Sequence, residues 1–154
     1  MSSTTGQTAD EITEWLDERQ QRFIQMADQI WEHPEVALTE HFACKLQSDD
    51  LAAQGFTITG NIGDMPTAFM AEWTQGSGGL KVGFLGEYDA LPGLSQKNQD
   101  MQDPIVVDGP GHGCGHNLLG TAALAAANVL KEWMIHTGTP GTVRYYGCPA
   151  EETC

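Results

Sequence analysis

The stretch Gly111-His-Gly-Cys-Gly-His-Asn-Leu-Leu-Gly120 sets a thiol, Cys114, and an imidazole, His116, two residues apart in a glycine-rich loop ahead of an apolar run. Residues i and i+2 of an extended or looping backbone point the same way, so both side chains can reach one metal ion. The helix predicted to follow carries roughly half a positive charge at its N-terminus, which favours the metal-binding thiolate. Further on, Pro149-Ala-Glu-Glu152 sets two adjacent carboxylates, Glu151 and Glu152, after a strand-like run. Thiolate, imidazole and carboxylate make three metal ligands, and a neighbouring carboxylate can act as general base on activated water. That set would support hydrolysis. The spacing alone leaves open which glutamate does which job.

These groups need elements to position them. Thr8-Ala-Asp-Glu11 is a capping-box pattern, and Ile12, Trp15, Leu16, Phe23, Met26, Ala27 and Ile30 follow at helical spacing, predicting a helix that ends near His33-Pro34. A second helix is expected over 39–54, stopped by Gly55. Strands are expected at 56–59, 67–73 and 142–146, with Gln75-Gly-Ser-Gly-Gly79 as a turn. Leu80-Lys-Val-Gly-Phe-Leu-Gly86 has the pattern of a buried strand leading into Glu87-Tyr-Asp89, and Ile105-Val-Val107 reads as one more brief run. From His116 to about Met134, Gly120, Ala122, Ala123 and Ala125 to Ala127 give a small-residue helix able to lie close on a sheet. Alternating strands and helices predict an α/β layered fold without an internal domain boundary. In open α/β sheets, ligands bind beyond the carboxyl ends of strands, where Glu87, Asp89, Cys114, His116, Glu151 and Glu152 are all expected.

Composition narrows the function. The chain has 154 residues, 40% hydrophobic and 18% charged, enough for one modest globular domain. Seven Lys and Arg against 21 Asp and Glu leave a net charge of -14, so no basic patch is available for nucleic acid or an anionic membrane. The run Leu118 to Leu130 is too short to span a bilayer, and Met1 to Asp10 lacks the apolar segment of a secretory signal. Cys44, Cys114, Cys148 and Cys154 form no spaced disulfide framework, which favours reduced thiols and a cytoplasmic location. Cys44 reads as a small core residue, and His33, His41 and His136 as surface or cap residues. His112 is either a supporting partner of the site or a solvated loop residue.

A different class is also legible. Ile105-Val-Val-Asp108, Gly111, Gly113 and the helix imitate a dinucleotide-binding Rossmann-like unit, with Glu132 roughly twenty residues on as a ribose contact. The fingerprint fails where His116 replaces its third glycine. A third option is a non-catalytic fragment that only binds metal.

In order, Glu87-Tyr-Asp-Ala-Leu-Pro, Gly111-His-Gly-Cys-Gly-His-Asn and Pro149-Ala-Glu-Glu152 resemble the aminoacylase, hippurate-hydrolase and carboxypeptidase G type of co-catalytic metallopeptidase. His33-Pro34-Glu35 is similar to that family too, and the likeness runs from about residue 10 to the end. Asn117, where many members have Asp, matches the aminobenzoyl-glutamate type. The resemblance implies a three-layer αβα zinc-peptidase-like domain with a mixed sheet, and a site for two divalent metal ions, manganese or zinc. It implies Cys114, His116 and Glu152 as metal ligands, Glu151 as general base and Asp89 as a supporting aspartate. The implied substrate is an N-acyl or p-aminobenzoyl amino acid, glutamate foremost, and the implied assembly a homodimer or hetero-oligomer. Members take further histidine ligands and a smaller inserted dimerisation domain from later sequence. Residues 1–154 are therefore expected to be the N-terminal part of one catalytic domain, inactive alone.

Overall fold

The computed structural model describes residues 4–153. The helices are α1 (Thr4–Glu32), α2 (His41–Ala53) and α3 (His116–Thr137), and the strands β1 (Thr57–Gly60), β2 (Phe69–Gln75), β3 (Leu80–Glu87) and β4 (Gly141–Cys148). They form a mixed sheet of order β1-β2-β4-β3, in which β2 is antiparallel to β1 and β4 while β3 is parallel to β4. This is the α/β class that the alternation of elements predicts.

Period-two patterning sets the core. Phe69, Ala71, Val143 and Tyr145 are buried on one face of the sheet, and Val82 and Phe84 of β3 pair with Val143 and Tyr145. Onto that face come Leu124, Ala127 and Met134 of α3 and Ala43 and Leu51 of α2, and Phe23, Met26 and Ile30 of α1 close the core over those helices. Ile30, Leu51 and Leu124 are wholly buried, each contributing roughly 1.5–3 kcal/mol. The other face lies partly open along the Glu72–Arg144 ion pair.

One turn of the topology makes the site. β3 and β4 are parallel, so α3 must return the chain from the carboxyl end of β3 to the start of β4. The register Glu87↔Cys148 then brings the residues after both strands to one edge, and His116, at the start of α3, lies at that edge too. Gly120 lets α3 sit there: a Cβ on it would lie 2.3 Å from the carbonyl oxygen of Glu87.

Four expectations are corrected. The capping box at Thr8 does not start α1, which is already helical from Thr4; nothing in Thr4–Gln7 forbids an earlier turn. The run Leu80–Gly86 is not enclosed: β3 is an edge strand of the sheet among the described residues, with Leu80 and Leu85 exposed. Ile105–Val107 form no strand. All three are exposed in a turn where Ser95 Oγ accepts the Val106 N–H, so an apolar run here marks no ladder. Finally, α3 outlasts its apolar run at 22 residues and is long and apolar enough to cross a membrane, yet it packs as a core helix between the sheet and α1. Cys154 lies outside the described residues, and Cys44, Cys114 and Cys148 are free thiols.

Candidate metal centre

His116 is the hub. It is 2% exposed, and its Nδ1 lies 2.9 Å from Asp89 Oδ1 and 3.1 Å from the Asp89 carbonyl oxygen. Both neighbours only accept, so Nδ1 carries the proton and donates, leaving Nε2 as the ligating atom. Nε2 faces three carboxylates: Glu87 Oε2 at 3.1 Å, Glu151 Oε2 at 3.7 Å and Glu152 Oε1 at 3.7 Å. A nitrogen lone pair set against these oxygens is an arrangement that a bound cation would satisfy.

Two overlapping sets of ligand-type atoms share that nitrogen. Cys114, His116 and Glu152 bring one atom each within 4.8 Å of one another, and Glu87, His116 and Glu151 do the same. Glu152 Oε1 is buried and has no hydrogen-bond partner, the mark of an acceptor meant for a cation. Six of the seven Lys and Arg residues are paired elsewhere, and Lys81 sits at the opposite end of β3, about 20 Å away at strand rise. Thiolate, imidazole and carboxylate are all zinc ligands, and the carboxylates suit manganese as well, so these residues fit a divalent ion.

The backbone explains the convergence. Asp89, buried after β3, accepts the Glu152 N–H on Oδ2 at 3.0 Å while Oδ1 holds His116. One carboxylate thus fixes an imidazole from α3 and a peptide from the loop after β4. Cys114 lies exposed in the loop before α3, where the strand-end bridge Leu91–Gly111 turns the chain toward the site. Its hydrogen bond to Glu152, with the charges of Glu152, Glu151 and Glu87, pushes the thiol above its ordinary value. That reverses the expectation that the helix N-terminus favours the thiolate, because three nearby full charges outweigh half a charge. A bound cation would restore the thiolate.

All five residues singled out from the sequence, Asp89, Cys114, His116, Glu151 and Glu152, come together here. Glu87 is a further member that the motifs left without a role. Its signal was the i, i+2 relation to Asp89 at a strand end. His112 is half-buried against α1, with Nε2 donating to the Ile30 carbonyl at 3.1 Å, and burial lowers its pKa. Asn117 ties α3 to α1 by donating to the Ala27 carbonyl. The Rossmann-like reading lacks both its strand at Ile105–Val107 and a small residue at His116.

A strand-end cluster of thiol, imidazole and carboxylates on a mixed α/β sheet is a donor set that suits a metal-binding domain. Known proteins resemble it. The chain is 48% identical over 142 residues to a subunit of the p-aminobenzoyl-glutamate hydrolase of Escherichia coli, a match covering 92% of this chain and 29% of that protein. It is 34% identical to the mouse (Mus musculus) Xaa-Arg dipeptidase, over 90% of this chain and 31% of that protein. Among solved structures, a dinuclear metal-binding peptidase of the M20 family from Bacillus subtilis superposes with a TM-score of 0.71 at 29% identity, over 86% of this chain and 35% of that one. No protein-family model matches the sequence. The chain is thus similar in sequence and fold to metallopeptidases of the M20 type, and it spans about a third of the length of the curated relatives it matches.

Proposed function

We propose that this chain forms the N-terminal part of the catalytic domain of a metal-dependent amide hydrolase. The observation that carries the reading is the geometry at His116: Nδ1 locked as a donor by Asp89, and Nε2 set among Glu87, Glu151, Glu152 and Cys114. Cys114, His116 and Glu152 would hold one divalent ion, and Glu87 with His116 supports a second nearby. Two ions accord with the dinuclear centre named for the Bacillus relative, and manganese or zinc is the identity proposed. Such ions, when bound, polarise the amide carbonyl and make water acidic enough to ionise near neutral pH.

The chain's own residues supply the rest. Glu151 is the most exposed of the three acids, its side chain 48% accessible against 25% for Glu87 and 23% for Glu152. In this reading Glu151 takes a proton from attacking water and passes it to the leaving amine, a role its exposure supports. Asp89 orients His116 and the Glu152 peptide. The substrate proposed is an N-acyl or p-aminobenzoyl amino acid, glutamate first, in line with the name of the Escherichia coli relative. That relative is named as one subunit of its enzyme, which supports a hetero-oligomer beside the homodimer alternative. A smaller dimerisation domain and a cytoplasmic location complete the proposal.

In the full-length chain, Glu151→Ala should lower turnover of p-aminobenzoyl-glutamate by about 10² or more while metal content stays near normal. Metal loss in that variant would mean the two glutamates have exchanged roles. Metal binding with no hydrolysis by the unaltered full-length chain would leave a metal-binding protein only.

A further inference from the structure

Glu40 precedes α2 and has none of its surface exposed. A buried carboxylate is costly unless donors surround it. Glu40 is not spent on capping its helix, since Glu35 takes that work by accepting the N–H groups of Phe42 and Ala43. Instead, Glu40 Oε1 accepts the N–H groups of Leu38 and Ala150, each at 2.9 Å, and Oε2 accepts the Thr67 hydroxyl at 2.9 Å. The three donors come from three separate segments.

Two of them share a feature. Leu38 and Ala150 have φ of 63° and 60°, the left-handed region that residues with a Cβ seldom adopt. A charged acceptor on the N–H of each helps to hold that conformation. Ala150 directly precedes Glu151, and its turn redirects the chain from β4 toward His116. At the far side, the Glu152 N–H is held by Asp89. The segment carrying both glutamates is thus gripped at two peptides by buried acids, Glu40 at the Ala150 N–H and Asp89 at the Glu152 N–H.

We propose that Glu40 is a positioning residue for this site: through the Ala150 N–H it fixes the left-handed turn that aims Glu151 and Glu152. The catalytic consequence rests on the hydrolase reading above; the clamp itself does not. In Glu40→Gln the amide oxygen still accepts both N–H groups, and the Thr67 hydroxyl can accept from the new NH2 group. Glu40→Ala removes all three bonds. Ala150→Gly removes the steric resistance to positive φ, so it should offset Glu40→Ala if the turn is what Glu40 secures.

The test uses the full-length chain as wild type, Glu40→Gln, Glu40→Ala and Glu40→Ala/Ala150→Gly, with amide hydrogen exchange and steady-state kinetics. In Glu40→Ala, exchange at Ala150 should rise about tenfold or more while amides at Leu124 and Ile30 hold. Its kcat should fall about 10- to 100-fold with KM within about twofold, as expected for a misplaced base. Glu40→Gln should stay within about threefold of wild type in kcat, its neutral acceptor being weaker, and should speed Ala150 exchange modestly. The double variant should regain about fivefold in kcat. Unchanged exchange at Ala150 in either single variant, or an equal rise at Leu124, Ile30 and Ala150, overturns the proposal. So does a double variant no better than Glu40→Ala. If Glu40→Ala does not fold, the Gln variant's exchange at Ala150 decides alone. An inactive wild type would defeat the hydrolase reading while exchange still judges the clamp.

Discussion

Replacing Asp89 by Asn changes one atom and removes one charge, yet the geometry predicts a specific defect. The Asp89 side chain is fully buried and serves two donors, His116 Nδ1–H at 2.9 Å and the Glu152 N–H at 3.0 Å. A carboxylate has an acceptor for each; an amide has one acceptor and one donor. If the amide oxygen turns to His116, its NH2 faces the Glu152 N–H, and the reverse orientation sets NH2 against Nδ1–H. Either way a buried donor meets a donor, costing about 1–3 kcal/mol. The Asp89 carbonyl, 3.1 Å from Nδ1, remains and still favours the proton there. The loss in metal affinity should therefore fall near tenfold, the lower end of the 10- to 100-fold range for residues supporting a ligand. Tenfold corresponds to about 1.4 kcal/mol. Competition with a chromophoric chelator on full-length protein reads the affinity, and urea unfolding reads stability in parallel. Affinity within threefold of wild type, with stability lowered, would refute the tautomer reasoning and leave Asp89 only a fold-holding role.

Other perturbations probe the same physics. Burial holds the phenols of Tyr88 and Tyr145 far above their ordinary value of 10.0, so the folded state keeps two protons that the unfolded chain releases. Their contribution is complete well below pH 10 and declines as pH rises through and beyond it, so unfolding free energies from urea titrations should fall slightly from pH 9 to 10 and more steeply above, approaching about 2.7 kcal/mol per pH unit past about pH 11. A flat profile there would contradict their burial. Gly120→Ala should both destabilise the fold by about 1–3 kcal/mol and weaken metal binding, because its Cβ would meet the Glu87 carbonyl oxygen at 2.3 Å and must displace the end of β3. A stabilised Gly120→Ala, as helix propensity alone favours, would show that α3 can move away without cost.

How much of this was legible before the structure depends on how local each signal is. Cys114 and His116 are two residues apart and Glu151 and Glu152 adjacent, so their convergence needed only parallel strands ending at one edge, which β3–α3–β4 supplies. The helices announced themselves by periodicity, and Gly55 and Gly138 close α2 and α3 at φ of 86° and 69°. Where signals were short, composition misled. Ile105–Val107 resembles a strand but lies exposed in a loop tied by Ser95 and by the Ser95–Gly109 backbone bond. Pattern alone also could not tell an edge from a central strand, so β3 read as enclosed. Glu40 gave no signal, because its partner Ala150 is 110 positions away and a buried glutamate looks like any other acid in a sequence.

The acids at this edge divide by what fills their oxygens. Glu35, Glu40 and Asp89 accept N–H or O–H donors on their carboxylates, and apart from the Leu38 N–H on Glu40 the donors belong to other segments of chain, so their charges hold the frame. Glu87 and Glu152 instead turn oxygens toward His116 Nε2, and Glu152 Oε1 has no donor although it is buried. A protein built only for stability would satisfy that oxygen or replace it, since an unmet buried acceptor costs about 1–3 kcal/mol. The same carboxylates raise the Cys114 thiol rather than ionise it. The unmet oxygen is a penalty in the protein alone and the thiol a ligand still protonated, and one divalent cation would answer both. The prediction that closes the argument is therefore thermodynamic: saturating zinc or manganese should raise the unfolding midpoint of full-length wild type, and should do so far less in Cys114→Ala/His116→Ala. Equal stabilisation of both proteins would place the cation elsewhere.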